Sequence, residues 1–213
     1  MKRREMLRGL GLSLGALAIT PSIASLLQSC ASEEKISWTA QFFKQEQLPL
    51  LNKIVNIILP KTEDLPSATE VNVPQFIDKF AAEVLEPEVQ ELFKKGFLNF
   101  SNLFSYRGDE PVNFNNIETE AIEAEISKLL KKTKAEHEAI MKTFGEAMQN
   151  ETEIPEDALN YVTIDGLRGL SIFAYKSSEY IAEEVLTYLP VPGKQEGCVD
   201  VEEATGGKAY ALD

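Results

Sequence analysis

The sequence predicts an all-α protein: a compact, orthogonal helical domain of about six to seven helices with an extended C-terminal tail. Apolar residues recur at helical spacing through most of the chain after residue 45, and no stretch sustains the alternation of apolar and polar residues that is typical of strands. Prolines stand where helices begin or end. Eleven Phe and six Tyr residues supply a core, so we expect an ordered domain despite the acidic composition.

Prolines separate the first three predicted helices. Apolar positions predict a first helix over roughly 45–59, which Pro60 ends. Pro74 is well placed as the first residue of a second helix, because proline lacks the backbone N–H that this position leaves unbonded. Pro87 repeats this arrangement and opens a third helix of about five turns. Its long stripe of Phe and Leu residues predicts that it is the central helix of the domain.

Further helices follow a break at residues 108–116. Their apolar positions place them at about 118–132, at 135–149, at 162–175 and from residue 177 or 178 to 186. Ser177 or Ser178 is suited to cap the last of these, because a serine oxygen can accept a backbone N–H of the first helical turn. From about residue 190 the chain becomes rich in Pro and Gly. This change predicts a tail that packs on another surface as an extended segment.

The first 29 residues have the layout of an export signal. A basic segment with Arg3 and Arg4 precedes an uncharged stretch from Gly9 to Leu27, as in a secretory signal peptide. Its glycines make this stretch less hydrophobic than a membrane anchor. The arginine pair indicates the twin-arginine route, whose translocase carries folded proteins. An ordinary basic segment for the general secretory pathway is the alternative.

Cys30 follows Leu27-Gln28-Ser29, which resembles a lipoprotein box. On this interpretation Cys30 becomes the lipidated first residue of the mature chain, and residues 30–44 form a polar tether to a helical domain at 45–213. The alternative is that Cys30 is a small buried side chain. We therefore expect an exported lipoprotein, in the periplasm or at the outer membrane of a Gram-negative bacterium.

The second cysteine has no partner within the chain if Cys30 is acylated, because the sequence contains two cysteines. An unpaired Cys198 in an oxidising compartment indicates either an intermolecular disulfide or a buried thiol. The sequence leaves both open.

The charge of the chain excludes one class of partner. Its formal net charge is −13, and loss of the basic signal makes the mature chain more negative still. Such a surface repels nucleic acid and anionic lipid headgroups. We therefore expect no nucleic-acid binding, and we expect any membrane association to come from the acyl chain.

Motifs for a bound redox cofactor or metal are missing from the sequence. There is no glycine fingerprint for a dinucleotide, and two cysteines cannot supply a Cys-x-x-Cys-His haem site beside an acylated Cys30. The one histidine, His137, has Lys134 three residues before it, so the Glu-x-x-His pair of di-iron bundles is absent. We interpret His137 as a solvated residue on a charged helix face. The acids at helical surface spacing are interpreted in the same way: Glu118, Glu120, Glu123 and Glu125. We expect no catalytic, cofactor-binding or metal-binding residue in this chain.

Two groups of short motifs resemble the gluconate 2-dehydrogenase subunit 3 family. Residues 57–62 (IILPKT) followed by 73–78 (VPQFID) resemble its opening signature. Residues 173–179 (FAYKSSE), then 188–193 (YLPVPG) and Gly197-Cys198, resemble its closing signature. The loop after Pro60 lacks the Asp-Thr-Pro-Gly form that many members show, and residues 108–155 carry no signature of the family.

The resemblance implies a non-catalytic small subunit of a flavin-dependent sugar or sugar-acid dehydrogenase. Its implied partners are a large subunit of the glucose-methanol-choline type, which carries FAD, and a cytochrome c, which carries haem c. The resemblance also implies that the small subunit binds the large one in the cytoplasm and brings it through the twin-arginine translocase. The tail is the expected contact with the large subunit, through the residues that match the family pattern: Pro190, Pro192, Gly193 and Cys198. Cys198 is the candidate for a disulfide to that subunit.

Two other functions remain open at this point. One is a stand-alone helical envelope lipoprotein that binds a ligand or scaffolds an unrelated complex. The other is an enzyme that uses a carboxylate site which the sequence pattern does not reveal.

Overall fold

Helices dominate the part of the chain that the computed structural model describes, which is residues 36, 38–104, 106–107, 110–111, 113–189, 191, 193 and 197–211. In chain order the α-helices are α1 (Leu48–Ile58), α2 (Val73–Glu83), α3 (Pro87–Asn102), α4 (Thr119–Leu130), α5 (Lys134–Gln149), α6 (Glu156–Lys176) and α7 (Val201–Thr205). A π-helical turn covers Ile181–Val185, and 3-10 turns cover Gln45–Gln47 and Phe114–Asn116. Two short antiparallel strands, β1 (Tyr106–Arg107) and β2 (Glu110–Pro111), lie between α3 and α4. The all-α prediction is confirmed.

The helix boundaries follow the proline pattern closely. Pro87 is the first residue of α3, as expected, and α2 begins one residue before Pro74. The largest difference is α6, which begins at Glu156 rather than near residue 162. The prediction began this helix at Val162 and did not include Glu156 and Asp157, the two acids of its first turn. Acids at a helix N-terminus are stabilised by the helix dipole. The helix therefore has nearly two more turns than its apolar residues alone indicated.

Lys53 holds residues 114–117, at the end of the predicted break between α3 and α4. The Nζ of this α1 residue donates hydrogen bonds to three backbone carbonyl oxygens, those of Phe114 (3.1 Å), Asn115 (2.8 Å) and Ile117 (2.5 Å). Burial lowers the pKa of Lys53, and the nearby carboxylate of Glu118 opposes this effect. In place of the backbone N–H groups of a helix, the ammonium group of Lys53 therefore provides the donors for these three carbonyl oxygens.

The central helix of the domain is α6 and not α3. It packs against α1, α2, α3, α4 and α5 in turn. The expectation for α3 was wrong because a single Phe and Leu stripe fits one neighbouring surface, whereas α6 has small and hydroxyl residues that let helices approach from several sides. Two of these are buried and donate to the carbonyl one turn earlier: Thr163 to Leu159 (2.8 Å) and Ser171 to Leu167 (2.7 Å). Their hydroxyl groups are thus satisfied without a partner on another helix.

The hydrophobic core lies where α1 to α4 surround α6. Its largest fully buried side chains include Phe97, Phe100, Leu48, Leu50, Leu51, Ile54, Ile77, Ile122, Ile164 and Leu167. Burying a side chain of this kind stabilises the fold by about 1.5–3 kcal/mol. A smaller cluster joins α5 to the beginning of α6, with Ala147, Ile154, Ala158 and Leu159 at its centre.

Asp78 fixes the point at which the chain enters the domain. This α2 side chain is fully buried. Its carboxylate accepts three backbone N–H groups, those of Gln41 (2.7 Å), Phe42 (3.0 Å) and Phe43 (3.0 Å). Charge-assisted bonds of this type are about twice as strong as neutral ones. The segment before α1 is therefore held firmly against α2.

Candidate functional site

The described residues contain no constellation that suggests a metal centre. Among them, no three His, Cys, Asp or Glu side chains are grouped so that they could hold a metal ion. His137 is exposed, as expected, and its Nδ1 shares a hydrogen bond with the hydroxyl of Tyr161. Burial, and secondly the carboxylate of Asp165, raises the pKa of Tyr161. This contact joins α5 to α6.

Several predicted site residues lie outside the described residues: Arg3, Arg4, Cys30, Pro190 and Pro192. Export, lipidation and the role of the two prolines therefore stay predictions. Within the part of the chain that is described, no helix has the length and apolar character needed to cross a membrane.

The remaining two predicted site residues lie at the start of the tail. Gly193 has a φ of +70°, a left-handed conformation that favours glycine. Cys198 is a free cysteine and is exposed, so the alternative of a buried thiol is wrong. Its sulfur is open to a bond with another chain.

The tail contains a helix that the sequence analysis did not predict. Asp200 caps α7 by accepting the N–H groups of Glu202 (2.9 Å) and Glu203 (3.2 Å). Gly206 ends it with a φ of +61°. Because α7 is a single turn of exposed residues, it has no apolar periodicity to detect, although its cap and its terminal glycine are recognisable signals.

After α7 the chain returns to the domain. The N–H of Thr187 donates to the carbonyl of Ala209 (2.8 Å), and the N–H of Ala211 donates to the carbonyl of Thr187 (3.1 Å). These bonds form an isolated parallel bridge between Thr187 and Tyr210. The described tail therefore closes on the segment after α6, while most of its side chains remain exposed.

The loop between α1 and α2 follows the opening signature and is well ordered by its own side chains. Lys61 Nζ donates to Glu70 Oε1 (2.6 Å), and Glu70 Oε2 accepts the N–H of Ser67 (2.7 Å). The hydrogen bond from Lys61, followed by that from Ser67, lowers the pKa of Glu70 to about 2. Asn56 adds a pair of bonds to Thr69, one to its hydroxyl (3.0 Å) and one from its N–H (3.1 Å).

The two signature segments meet in the structure although about a hundred residues separate them. The hydroxyl of Tyr175 on α6 donates to the carbonyl of Pro66 in the loop (2.7 Å). The ring of Phe173 contacts the rings of Phe76 and Phe80 on α2, at centroid distances of 5.8 and 6.3 Å. The opening and closing signatures therefore form one continuous region.

We refer to Phe76, Phe80, Ile172 and Phe173 as the aromatic face. Phe173 is 52% exposed and Ile172 is 39% exposed, while Phe76 and Phe80 are half-buried. Sequence periodicity places Phe76, Ile77 and Phe80 on one apolar face of α2, but the fully buried residues of this helix include Ile77 and not the two phenylalanines. The signal that could have revealed this is the width of the apolar surface of α2, which exceeds what one neighbouring helix can cover.

Comparison with known proteins identifies the family. Residues 45–193 match the family described as gluconate 2-dehydrogenase subunit 3, which is well over half of the 213 residues. Searches of curated proteins and of solved structures found no match. The family match confirms the resemblance carried by the two signatures. The chain belongs to the gluconate 2-dehydrogenase subunit 3 family and is an accessory subunit of a dehydrogenase complex.

Proposed function

We propose that this chain is the non-catalytic small subunit of an exported flavin-dependent sugar or sugar-acid dehydrogenase. It assists the folding, twin-arginine export and anchoring of a large flavoprotein subunit of the glucose-methanol-choline type. The family match over residues 45–193 is the observation that carries this proposal. FAD is held by the large subunit and haem c by an associated cytochrome c, while this chain holds no cofactor.

The physical logic of export supports the proposal. A flavoprotein has to fold around its flavin before it leaves the cytoplasm. A translocase for folded proteins is therefore required, and one signal on the small subunit can serve both chains. The substrate class is determined by the large subunit, because specificity depends on the groups that contact the sugar.

Export can be tested with the arginine pair. Replacing both Arg3 and Arg4 by Lys is expected to keep this chain and the flavoprotein in the cytoplasm, because the translocase recognises the arginine side chains. Arg8→Lys is the matched control, since it changes an arginine of the same basic segment outside the pair. Cell fractionation with dehydrogenase activity is the measurement. A fully active flavoenzyme that is still exported in cells lacking this chain would refute the proposal.

Anchoring can be tested at Cys30. Cys30→Ser is expected to move the complex from the membrane fraction to the soluble periplasmic fraction and to abolish incorporation of labelled fatty acid. Cys198→Ser is the control, because it removes the other cysteine of the chain and leaves the anchor intact. Membrane retention of the Cys30→Ser variant would contradict anchoring through an acyl chain.

The hypothesis of an intersubunit disulfide concerns Cys198, which is exposed. We expect the small and large subunits to migrate together on non-reducing gels and separately after reduction. Cys198→Ser is expected to give separate bands under both conditions. Separate bands for the unaltered complex without reductant would count against the bond.

The proposed function and the alternative of a stand-alone lipoprotein predict different results when the chain is purified. Affinity purification of the tagged chain from its own cells is expected to yield flavin and dye-linked sugar dehydrogenase activity. A stand-alone lipoprotein would be recovered colourless and without either. Turnover of a sugar by the isolated chain would instead indicate an enzyme.

A further inference from the structure

The aromatic face is an apolar surface that the described part of the fold leaves partly exposed. Phe173 is half exposed although it is a large aromatic side chain in the middle of a folded region. Its ring is already held by Phe76 and Phe80, so it loses little conformational freedom when a partner covers it. Rigid, partly exposed aromatic side chains are typical of the residues that contribute most to binding in protein interfaces.

Two glycines of α6 extend this surface. Gly166, Gly169 and Phe173 follow each other at spacings of three and four residues, which places them on one face of the helix. Both glycines are exposed, and a Cβ atom at either would have no neighbouring atom within 4 Å. Glycine inside a helix is less favourable than alanine. The packing of this chain therefore does not explain them.

Gly96 on α3 provides the contrast. A Cβ atom at that position would lie 1.8 Å from Oγ1 of Thr163, so the close approach of α3 to α6 requires glycine. The missing side chains of Gly166 and Gly169 likewise permit a backbone to approach the outer side of α6 closely. Among the described residues, no atom outside the backbone of α6 lies within 4 Å of a Cβ atom built at either glycine, so the space there is open to a backbone from another molecule.

The charges of α6 beside the two glycines are compatible with an apolar partner. Although the chain carries a net charge of −13, the exposed charges of α6 beside the glycines, Asp165 and Arg168, form an ion pair at 3.3 Å. An interface here would bury apolar area and leave these charges at its rim. Its stability should depend little on salt.

The position of the aromatic face points to the large subunit as its occupant. Both elements of the face lie within residues 45–193, the region that defines the family, whereas Cys198 and α7 lie outside it. A partner that is common to members of the family is therefore expected to contact residues 45–193. A competing apolar surface exists on α5, at Met141, Gly145 and Met148; it also lies within residues 45–193, but the aromatic residue beside it, Phe144, is partly buried against the cluster that joins α5 to α6.

We propose that the large dehydrogenase subunit covers the aromatic face and lays an apolar helix across Gly166 and Gly169. This inference rests on the proposed function, since it requires the large subunit to exist as a bound partner. It assigns the main contact to α2 and α6, and it leaves the tail as a secondary contact that Cys198 can lock.

Two pairs of variants in the full-length chain test the inference. Phe173→Glu and Gly169→Leu are each expected to reduce the affinity for the large subunit by about 30-fold or more, the loss typical of central interface residues. Met148→Glu and Gly145→Leu are the matched controls on α5, because Met148 is 50% exposed and Gly145 also has open space around it. Affinity is measured with large subunit recovered from the native complex, by flavin bound per tagged chain at high and low salt.

A photocrosslinker provides a direct readout that does not depend on affinity. Benzoylphenylalanine in place of Phe173 is expected to crosslink to the large subunit, and the same group at Met148 is not. Thermal unfolding of each isolated variant checks that its fold is intact. If a substitution destabilises the chain, the crosslink still reports which chain contacts residue 173.

The outcomes separate this inference from the proposed function. If the unaltered chain recovers no flavoprotein, the proposed function fails and the inference fails with it. If the unaltered chain recovers flavoprotein and both α6 variants recover as much, only the inference is overturned. It is also overturned if the α5 variants alone lose binding, or if the crosslink at residue 173 joins two copies of this chain.

Discussion

Gly96 on α3 lies directly against Thr163 on α6. A Cβ atom at Gly96 would be 1.8 Å from Oγ1 and 3.0 Å from Cβ of Thr163, which is closer than atoms can pack. The Thr163 hydroxyl cannot turn away without losing its 2.8 Å hydrogen bond to the carbonyl of Leu159. The contact between α3 and the central helix α6 therefore depends on the absence of one side chain.

Replacing Gly96 by Ala is therefore expected to reduce the free energy of unfolding by about 1–3 kcal/mol, the usual cost of overpacking a core. Adding Thr163→Ala should recover most of this loss, because it removes the oxygen that collides with the new methyl group. Gly145→Ala is the control, since its Cβ meets no atom within 4 Å, and it should stabilise by about 0.5–1 kcal/mol. Urea unfolding of the unaltered protein, of these variants and of Thr163→Ala alone is the measurement. Additive effects of the two changes would contradict a direct collision.

Asp78→Asn is expected to lower the free energy of unfolding by about 2–3 kcal/mol and to loosen the segment before α1. Asparagine keeps one acceptor oxygen but turns an NH₂ group towards backbone donors that now bind the carboxylate. Trp38 is the one tryptophan of the chain, and its carbonyl is tied to Gln45 Nε2 in the same segment (3.2 Å). Its fluorescence should therefore shift before global unfolding. The exposed Asp64→Asn should change neither signal.

The carboxyl group of Glu70, in the loop after α1, should have an unusually low pKa. The pKa of Glu70 is lowered to about 2 from 4.5, so its contribution to loop stability is complete above about pH 4.5 and is lost as the pH falls towards 2. Lys61→Met should raise the pKa of Glu70 towards 4.5, because the bond from Lys61 is the largest cause of the shift. Lys44→Met, which alters an exposed lysine paired with Glu46, should leave it unchanged. Carboxyl NMR titration measures this, and a value near 4.5 in the unaltered protein would refute it.

Thr133→Ala is expected to reduce the free energy of unfolding by about 1 kcal/mol, because Thr133 is the N-cap of α5. The Thr133 hydroxyl accepts the N–H of Glu136, and the Glu136 carboxylate accepts the N–H of Thr133 (2.8 Å) in return. Thr143→Ala in the same helix is the control. Its hydroxyl donates to Ala139 within the helix (3.0 Å), so its loss should be neutral or slightly stabilising. Equal effects of the two changes in thermal unfolding would argue against the cap.

Local signals explain why most helix boundaries could be predicted. Pro60, Pro74 and Pro87 act through their own ring and missing N–H, so their effect does not depend on the rest of the fold. The beginning of α6 was missed because its first turn carries the acids Glu156 and Asp157, whereas the prediction followed the apolar residues from Val162 onwards. The turn of α7 was missed because it buries no side chain and so has no periodic pattern.

The aromatic face could be predicted from the sequence to a lesser degree than the helix boundaries, because its exposure depends on tertiary structure. Periodicity shows that Phe76, Phe80 and Phe173 are apolar residues of helices, but it cannot tell which side of a helix a neighbour covers. That is decided by how α2 crosses α6, which buries Ile77 and leaves Phe173 half exposed. In the same way, Gly96 and Gly166 are both helical glycines in the sequence. Only the packing shows that Thr163 requires the first, whereas among the described residues nothing lies within 4 Å of a Cβ atom built at the second.

The sequence by itself determined the helical class, the positions of most helices and the family, because these depend on local spacing and on short motifs. Only the tertiary structure decided that α6 is central, that the two signatures adjoin through Phe76 and Phe173, and that Cys198 is exposed. The physical reason is that burial belongs to pairs of surfaces brought together from distant parts of the chain. A residue's own type sets how favourable burial is, while its neighbours in space decide whether burial occurs.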